Sequence, residues 1–227
     1  MKLSIIVPVY NEELTIIPIL KKIAAASLPG NVEKEIIVID DGSTDTTKIQ
    51  LQNFSCAIPI KIIFQDINLG KGAAVIKGID HAAGDILLIQ DADLEYDPAN
   101  YDALLKPILE NKASIVYGSR FKGQIKNMSL VNRWANLFCC WTLNVLYGCQ
   151  ITDVNTCFKV FRKEVLASIT IESHGFALET ELTAKLLKQN FKILEIPITY
   201  HARAQKDGKK MDWFKAVQMY WALIKYR

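Results

Sequence analysis

Five short aliphatic runs constrain the fold of this chain more than any other feature of its sequence. Each run is continuous and rich in branched residues, which is typical of strands buried on both faces of a parallel sheet. The runs are LSIIVP (3–8), EIIVID (35–40), IKIIFQ (60–65), DILLIQ (85–90) and ASIVYG (113–118). Helix-like stretches separate them, at roughly 15–27, 44–53, 71–83 and 99–111. The repeated order of strand and helix predicts an open, mostly parallel α/β sheet with right-handed crossovers.

The pattern changes after residue 120. Segment 129–148 is typical of a helix rich in Trp, Leu and Cys, and 157–161 is strand-like. A helix over about 178–189 and a strand over 191–200 follow, and a polar loop leads to a last amphipathic helix. No linker, repeat or low-complexity tract divides the chain, so a single domain is predicted.

Composition excludes several other classes of protein. The net charge of +3 is mild and gives no indication of a nucleic-acid partner. Five cysteines without a pairing framework indicate reduced thiols in a cytoplasmic protein. The first residues, MKLSIIVPVYNEE, lack a small-residue cleavage site and are predicted to form a buried strand. No apolar stretch of about 18 residues predicts a membrane span.

Polar clusters follow four of the five predicted strands. They are PVYNE (8–12), DDGS (40–43), NLGKG (68–72) and DAD (91–93). In open α/β sheets, ligands bind beyond the carboxyl ends of the strands. The clusters therefore predict one shared binding site at that edge of the sheet.

Acidic residues alternate directly after the fourth run. In extended chain, residues two apart face the same side, so Asp91, Asp93 and Glu95 could converge. Carboxylates suit Mg²⁺ or Mn²⁺, which share their remaining positions with water and substrate phosphates. The alternative interpretation is a solvated acidic turn. In either case we assign Asp97, before Pro98, to a helix cap.

Residues 68–72 offer glycines and Lys71 where a helix is predicted to begin. Such a helix N-terminus is suited to phosphate. The segment is neither a Walker A loop nor a G-x-G-x-x-G motif. A simple loop-to-helix turn is the alternative.

Several motifs resemble a known family when they are taken together. IIVPVYNEE, IVIDDGSTDTT, NLGKGAAVIKGI, DADLEYDP and YGSRF resemble the nucleotide-binding half of family 2 glycosyltransferases, which have the Rossmann-like GT-A fold. TDVNTCFKVFRKEVL, GFALETELTAKLL and EIPITYHARAQKDGKKM resemble polyprenyl-phosphate glycosyltransferases of the dolichol-phosphate mannose synthase type. The resemblance implies one domain over 1–227, with a nucleotide-binding half (1–120) and an acceptor-binding half (121–227).

The resemblance implies roles for residues at the strand ends. Those placed against the nucleotide-sugar are Pro8, Tyr10, Glu12, Asp40, Asp41, Lys71, Asp91, Ala92, Asp93 and Arg120. Asp91 and Asp93 would hold Mg²⁺ or Mn²⁺ at the diphosphate. Glu95 would be a third ligand where the family commonly has Gln, and its added charge leaves the metal preference open.

The resemblance also implies a cationic site for the acceptor phosphate. Arg203 and Lys209 or Lys210 would form it, with Arg120 near the donor diphosphate. The basic loop RAQKDGKK departs from the family's R-x-x-G-x-S-K, so either lysine could serve. Catalysis is assigned to Asp93, Arg120 and Arg203. The family's T-S-G-F-R is replaced by NTCFK (155–159), so contacts of that segment do not transfer.

The implied reaction is inverting transfer of a hexose from GDP-mannose or UDP-glucose to dolichyl or undecaprenyl phosphate. Three different functions remain open beside it. Transfer to a saccharide or protein hydroxyl would need a carboxylate base, for which Glu179 and Glu181 are candidates if they do not merely begin a helix. A sugar-phosphate nucleotidyltransferase would be expected to carry a Gly-rich, Arg-containing loop after the first strand. A non-catalytic nucleotide-binding module would need neither metal acids nor the basic loop.

Two aromatic patterns bear on membrane contact. Core packing is the favoured interpretation for the first set, Trp134, Leu137, Phe138 and Trp141. A membrane interface is favoured for the second set, Trp213, Val217, Tyr220 and Ile224, which lies among terminal Lys and Arg. With no span, reversible peripheral contact at the cytoplasmic face of a membrane is predicted.

Overall fold

The computed structural model describes residues 1–175, 177–203 and 220–227, and it contains one seven-stranded sheet in these ranges. The strands are β1 (Lys2–Val9), β2 (Glu33–Asp40), β3 (Ile60–Phe64), β4 (Ile86–Ile89), β5 (Ile115–Lys126), β6 (Lys159–Arg162) and β7 (Leu194–His201). Their order across the sheet is β3-β2-β1-β4-β6-β5-β7. All five predicted strands of the first half are present, which confirms that part of the sequence analysis.

Helices cover the sheet. They are α1 (Ile16–Ala25), α2 (Thr47–Gln52), α3 (Lys71–Asp80), α4 (Tyr101–Leu109), α5 (Leu130–Tyr147), α6 (Lys163–Ala167) and α7 (Leu178–Lys188). A 3₁₀ turn (Pro98–Asn100) precedes α4, and residues 220–225 are helical. Of the helices in the described ranges, only the five-residue α6 was not predicted, because it is too short for a hydrophobic period to be detected. None of the helices in the described ranges combines the length and hydropathy needed to cross a bilayer.

Strand direction brings the functional segments to one edge of the sheet. β1 pairs in parallel with both β2 and β4, so the residues that follow these three strands lie side by side. β6 is antiparallel to its neighbours β4 and β5. Its first residue, Lys159, therefore pairs with Ile89, the last residue of β4, at the same edge. The prediction of a mostly parallel α/β sheet is confirmed.

The core follows from the aliphatic content of the central strands. Every residue of β4 is buried, as are Leu3, Ile5 and Val7 of β1. α1 packs Ile16, Ile19, Leu20 and Ile23 against this layer at helical spacing. Each such side chain stabilises the fold by about 1.5–3 kcal/mol relative to full exposure.

The prediction that α5 packs its aromatic residues into the core is wrong. Trp134, Phe138 and Trp141 are 69%, 56% and 60% exposed, and Leu137 is half-buried. The helix instead buries its opposite face, whose buried residues are Asn136, Cys139, Cys140 and Leu143. The regular spacing correctly grouped these apolar residues on one face of α5. It could not show that the opposite face of the helix packs against the core.

Two glycines at the start of α3 allow another segment to pack closely. A Cβ at Gly70 or Gly72 would lie closer than 3.0 Å to the backbone oxygens of residues 173 and 174, and Gly70 also has a φ of 98°. The backbone N–H of Ala73 donates to the His174 carbonyl at 3.1 Å. These glycines therefore serve packing, and a contact of this segment with phosphate stays a prediction.

This packing predicts the effect of adding one methyl group. Gly72→Ala should lower the free energy of unfolding by about 1–3 kcal/mol, even though alanine favours helices, because backbone atoms must move. Gly175→Ala is the matched control, since nothing lies within 4 Å of its Cβ position. Urea unfolding measures both, and a Gly72 variant as stable as the control would contradict the close-packing argument.

Candidate active site

The loops after β1 and β2 hold each other in place. Asn11, whose φ is 53°, donates its backbone N–H to Ser43 Oγ at 3.0 Å. Its side-chain oxygen accepts from the Thr44 N–H at 2.8 Å. The Glu12 N–H donates to Thr47 Oγ1 at 2.9 Å. Asn11, Glu12 and Ser43 belong to the predicted polar clusters, but their cross-link was not predicted because it joins two loops that only the sheet brings together.

Asp40 and Asp41 are neighbours with different environments. Both oxygens of the Asp40 carboxylate are buried, and none of the described residues donates a well-aligned hydrogen bond to them. Burial raises the pKa of Asp40, and nearby Ser43 and Lys48 only partly oppose this. Such an acceptor suits a ligand N–H or O–H, as the predicted contact of Asp40 with a nucleotide-sugar requires.

Asp41 is instead saturated by the protein. Its oxygens accept from Gln65 Nε2 at 2.5 Å and from the backbone N–H groups of Leu69 and Gly70 at 2.8 Å each. The side chain therefore fixes the loop before α3. Its predicted contact with a nucleotide-sugar stays a prediction, and the geometry gives it a positioning role.

Lys71 lies between two carboxylates. Its Nζ is 2.7 Å from Asp91 Oδ1 and 3.0 Å from Glu179 Oε1. Burial alone would lower the pKa of Lys71, but these neighbours hold it well above its usual value. The site thus holds a permanent cation next to a predicted metal ligand.

Arg203 bridges two other acids at this edge. Its guanidinium donates to both carboxylate oxygens of Glu12, at 2.6 and 3.0 Å, and lies 3.3 Å from Asp93 Oδ2. Burial, then the charges of Asp91 and Glu95, raise the pKa of Asp93 to about 7. The charge of Arg203 and a hydrogen bond from the Glu95 N–H oppose this rise only in part.

Glu95 faces β7 and the basic loop. Its Oε2 accepts from the Tyr200 hydroxyl at 2.5 Å and its Oε1 from the Arg203 N–H at 3.0 Å. No three carboxylate, thiol or imidazole groups of the described residues converge as a metal site. The predicted three-acid ligand set is therefore not assembled, because Glu95 is engaged in holding Arg203.

Asp91 and Asp93 do fit a divalent cation on chemical grounds. Both supply hard oxygen ligands, which Mg²⁺ and Mn²⁺ prefer. The pKa of Asp93 is raised first by burial and then by the charges of Asp91 and Glu95, and a bound cation would offset those charges. Asp97 is a helix cap as predicted, since its side chain accepts from the Ala99 N–H at 3.0 Å.

Arg120 is held within the protein. Its Nε and Nη2 donate to the two oxygens of Asp153 at 2.7 Å each, and Nη2 also contacts Asn136 Oδ1 at 3.3 Å. The guanidinium lies 5.1 Å from the centre of the Tyr200 ring. Asp153 and Asn136 were not predicted, because α5 and the loop before β6 meet Arg120 only in the folded chain. The catalytic role of Arg120 stays a prediction.

Glu179 and Glu181 differ although both lie in the first turn of α7. Glu181 accepts from the N–H groups of Glu172 and Ser173 at 2.7 Å each, and pairs with Lys185. Glu179 pairs with Lys159 through Oε2 at 2.6 Å. Burial would raise the pKa of Glu179, but Lys159 and Lys71 hold it below its usual value.

Five buried side-chain polar atoms of the described residues make no hydrogen bond. They are both carboxylate oxygens of Asp40, Oδ1 of Asn155, Oε1 of Glu179 and Nε of Arg203. Oε1 of Glu179 nevertheless lies 3.0 Å from Lys71 Nζ. Such groups are rare in folded proteins, so those of the strand-end residues are candidates for contact with a polar ligand.

The remaining predicted residues fall into two groups. Pro8 and Ala92 are buried and Tyr10 is exposed at the end of β1. Lys209, Lys210, Trp213 and Val217 lie outside the described residues. The predicted basic loop is therefore represented in the structure by Arg203 alone.

The charge around Asp93 predicts how stability depends on pH. A pKa of about 7 in the folded protein lies above the unfolded value, so the metal-free protein should lose stability as the pH rises from about 4 to about 7. Asp93→Asn removes the repelled charge and should flatten this decline. Thermal unfolding with chelator at several pH values measures it.

Asp97→Asn is the control for that experiment. The Asp97 carboxyl is part exposed and its pKa is lowered, because the Ala99 N–H and Lys22 outweigh its partial burial. This variant should keep the decline between about pH 4 and 7. A decline in Asp93→Asn as steep as in the unmodified protein would contradict the charge assignment.

Comparison with solved structures supports the fold. Glucosyl-3-phosphoglycerate synthase from Mycobacterium tuberculosis, crystallised with Mn²⁺, UDP and glucosyl-3-phosphoglycerate, superposes with a TM-score of 0.77. The match covers 99% of this chain and 79% of that chain at 21% identity. At this identity the similarity shows the fold alone, which is the predicted GT-A fold.

Comparison with characterised sequences identifies the family. Dolichol-phosphate mannosyltransferase from Pyrococcus furiosus is 32% identical over 92% of this chain, which spans 59% of that protein. Dolichyl-phosphate beta-glucosyltransferase from Trichomonas vaginalis is 30% identical over 98% of this chain and 72% of its own length. Residues 4–170 match the family model described as Glycosyl transferase family 2. The predicted resemblance is confirmed, and the chain belongs to glycosyl transferase family 2.

Proposed function

We propose that this protein transfers a hexose, with inversion, from a nucleotide-sugar such as GDP-mannose or UDP-glucose to a polyprenyl phosphate. One observation carries the proposal. At the carboxyl edge of the sheet, Asp91 and Asp93 are each paired with a cation, Lys71 and Arg203, beside the unpartnered carboxylate of Asp40. This alternation of charges suits a diphosphate, and Asp40 suits its nucleoside.

The reaction needs its leaving group neutralised. As the bond between the sugar and the nucleoside diphosphate breaks, negative charge grows on the phosphate oxygens. Lys71 and Arg203 can exchange their present carboxylate partners for those oxygens. Asp91 and Asp93 would hold Mg²⁺ or Mn²⁺, which would supply further charge neutralisation at the diphosphate.

The two carboxylates predicted as bases for a hydroxyl acceptor, Glu179 and Glu181, are both held by cations of the protein. Glu181 is saturated by two backbone N–H groups and Lys185, and Lys159 and Lys71 keep the pKa of Glu179 low. A hydroxyl acceptor would need a carboxylate able to take a proton. A phosphate acceptor is already ionised at neutral pH and needs only cations such as Arg203. The names of the two relatives, which mention dolichol phosphate and dolichyl phosphate, agree with this choice.

Nucleotidyl transfer and simple nucleotide binding have less support. The loop after β1 reads PVYNEE and lacks the Gly-rich, Arg-containing sequence expected of a sugar-phosphate nucleotidyltransferase. Family membership favours glycosyl transfer over nucleotidyl transfer. The paired carboxylates and cations argue against a module that only binds nucleotides.

A donor and acceptor panel tests the proposal. Nucleotide-sugars are incubated with a short polyprenyl phosphate and Mn²⁺ or Mg²⁺, and glycolipid is measured. Asp93→Ala should reduce transfer by at least about a hundredfold. Asp97→Ala, a nearby acid that only caps a helix, should retain activity.

Two outcomes would contradict the proposal. One is the absence of glycolipid for every donor in the panel. The other is full activity of Asp93→Ala in the presence of chelator. Glycosylation of free saccharides in place of the lipid would instead support transfer to a hydroxyl acceptor.

Contact with a membrane would bring the acceptor to the site. The large apolar residues exposed on α5 lie within one arc of about 100° around the helix, and they are Leu130, Val131, Trp134, Phe138, Trp141 and Val145. Trp221 and Ile224 in the C-terminal helix are also exposed, and Phe138 contacts Tyr220 with ring centres 5.3 Å apart. A continuous apolar and aromatic face of this kind suits the interfacial layer of a bilayer.

A single charge on this face tests the membrane proposal. Trp141→Glu should weaken sedimentation with anionic liposomes by about tenfold, because a carboxylate would enter the apolar boundary. Ile49→Glu is the matched control, since Ile49 on α2 is 59% exposed, as Trp141 is 60% exposed. Equal loss in both variants, or none in either, would remove α5 as the contact surface.

A further inference from the structure

A lysine at the centre of the sheet is buried next to the candidate site. Lys159, the first residue of β6, is 0% exposed. Its ammonium group donates to the carbonyls of Val154, at 3.0 Å, and Thr156, and to Glu179 Oε2 at 2.6 Å. These three bonds use all its protons, and Tyr117 covers it with a ring centre 4.8 Å away. Lys159 is therefore fixed and has no donor left for a ligand.

Glu179 connects the fixed side chain of Lys159 to Lys71 in the candidate site. One carboxylate oxygen is held by Lys159, and the backbone carbonyl of Glu179 accepts from Thr183 Oγ1 at 2.7 Å. The other oxygen, Oε1, lies 3.0 Å from Lys71 Nζ without hydrogen-bond alignment. Glu179 cannot rotate without breaking its bond to Lys159. Its Oε1 therefore keeps a fixed position, and the Lys71 ammonium group is held near that position.

The four side chains form a row of alternating charge: Lys159, Glu179, Lys71, Asp91. They come from β6, α7, α3 and the loop after β4, so the row joins four separate segments. A buried ion pair is weak evidence for stability, because apolar replacements of similar volume are often neutral or stabilising. The row is therefore better explained by a function of Lys71 and Asp91, at its part-exposed end, than by a contribution to stability.

We propose that Lys159 is a positioning residue, which through Glu179 keeps Lys71 beside the place where the donor diphosphate binds. The inference rests on the proposed function. When a phosphate oxygen replaces Asp91 as the partner of Lys71, the contact with Glu179 keeps the ammonium group in reach. Lys159 itself touches neither donor nor acceptor.

The test compares binding of a nucleoside diphosphate with binding of its nucleoside. UDP and uridine, and GDP and guanosine, are titrated with Mn²⁺ present into the full chain by calorimetry. The ratio of the two affinities measures the phosphate contribution, and a loss of stability alone does not change it. In the unmodified protein the diphosphate should bind more tightly.

Lys159→Met leaves Glu179 with Lys71 as its one remaining cation of the row. Lys71 is then drawn from the phosphates, and the affinity ratio should fall at least about tenfold, together with a lower unfolding temperature. The double variant Lys159→Met/Glu179→Gln contains no uncompensated charge. Its unfolding temperature should recover, but its ratio should stay low because Lys71 has lost its anchor. If the single variant does not fold, the double variant carries the test.

Lys34→Met is the matched control. Lys34 lies at the opposite end of β2 from Asp40 and donates to the carbonyls of Ile23, at 3.0 Å, and Ala26, at 2.5 Å. It should lose stability and keep the affinity ratio. A double variant with the ratio of the unmodified protein would overturn the role of Lys159 and leave the proposed function intact. An unmodified protein that binds diphosphate no better than nucleoside would overturn both.

Discussion

The parallel pairing of β1 with both β2 and β4 is the constraint on which the candidate site depends. The register sets Val9 opposite Asp40 and Ile6 opposite Ile89, so the three strands deliver their polar ends to one edge. The loops that follow would diverge if left alone, and Asn11 ties the first to the second through Ser43 and Thr44. A largely apolar centre therefore supports a concentrated set of charged groups immediately beyond it.

Those charges explain much of the architecture of the second half of the chain. β7 brings Tyr200 to Glu95, and Glu95 then holds the backbone of Arg203. α7 brings Glu179 to Lys71 and Lys159. The second half of the chain thus supplies Arg203 to acids of the first half and Glu179 to Lys71 of the first half. Since burial raises the cost of each uncompensated charge, the two halves are coupled electrostatically as well as by the shared sheet.

The sequence was sufficient for what depends on local pattern. Continuous aliphatic runs identified the strands, and the polar residues after them identified the edge at which Asp91 and Asp93 lie. The sequence did not predict the roles of residues whose contact partners come from distant segments. Glu95 looks like a third metal ligand by spacing, yet Tyr200 and Arg203 occupy it. Gly72 looks like part of a phosphate loop, yet it accommodates residue 173. In both cases the role depends on contacts with residues far along the chain, which the local hydrophobic pattern does not reveal.

The helix α5 shows how one element can serve both the site and the proposed membrane contact. On its buried face, Asn136 contacts Arg120 and Asn155, so the helix is tied to the buried pair of Arg120 and Asp153. On its exposed face, Trp134 and Trp141 are available to a bilayer. In the proposed reaction, a lipid phosphate would leave the headgroup layer to meet Arg203 while its prenyl chain stays in the apolar phase. A helix that carries the apolar face and also packs against the buried pair would keep the bilayer close to the site, which is why we favour the proposed acceptor as the explanation of the exposed aromatics.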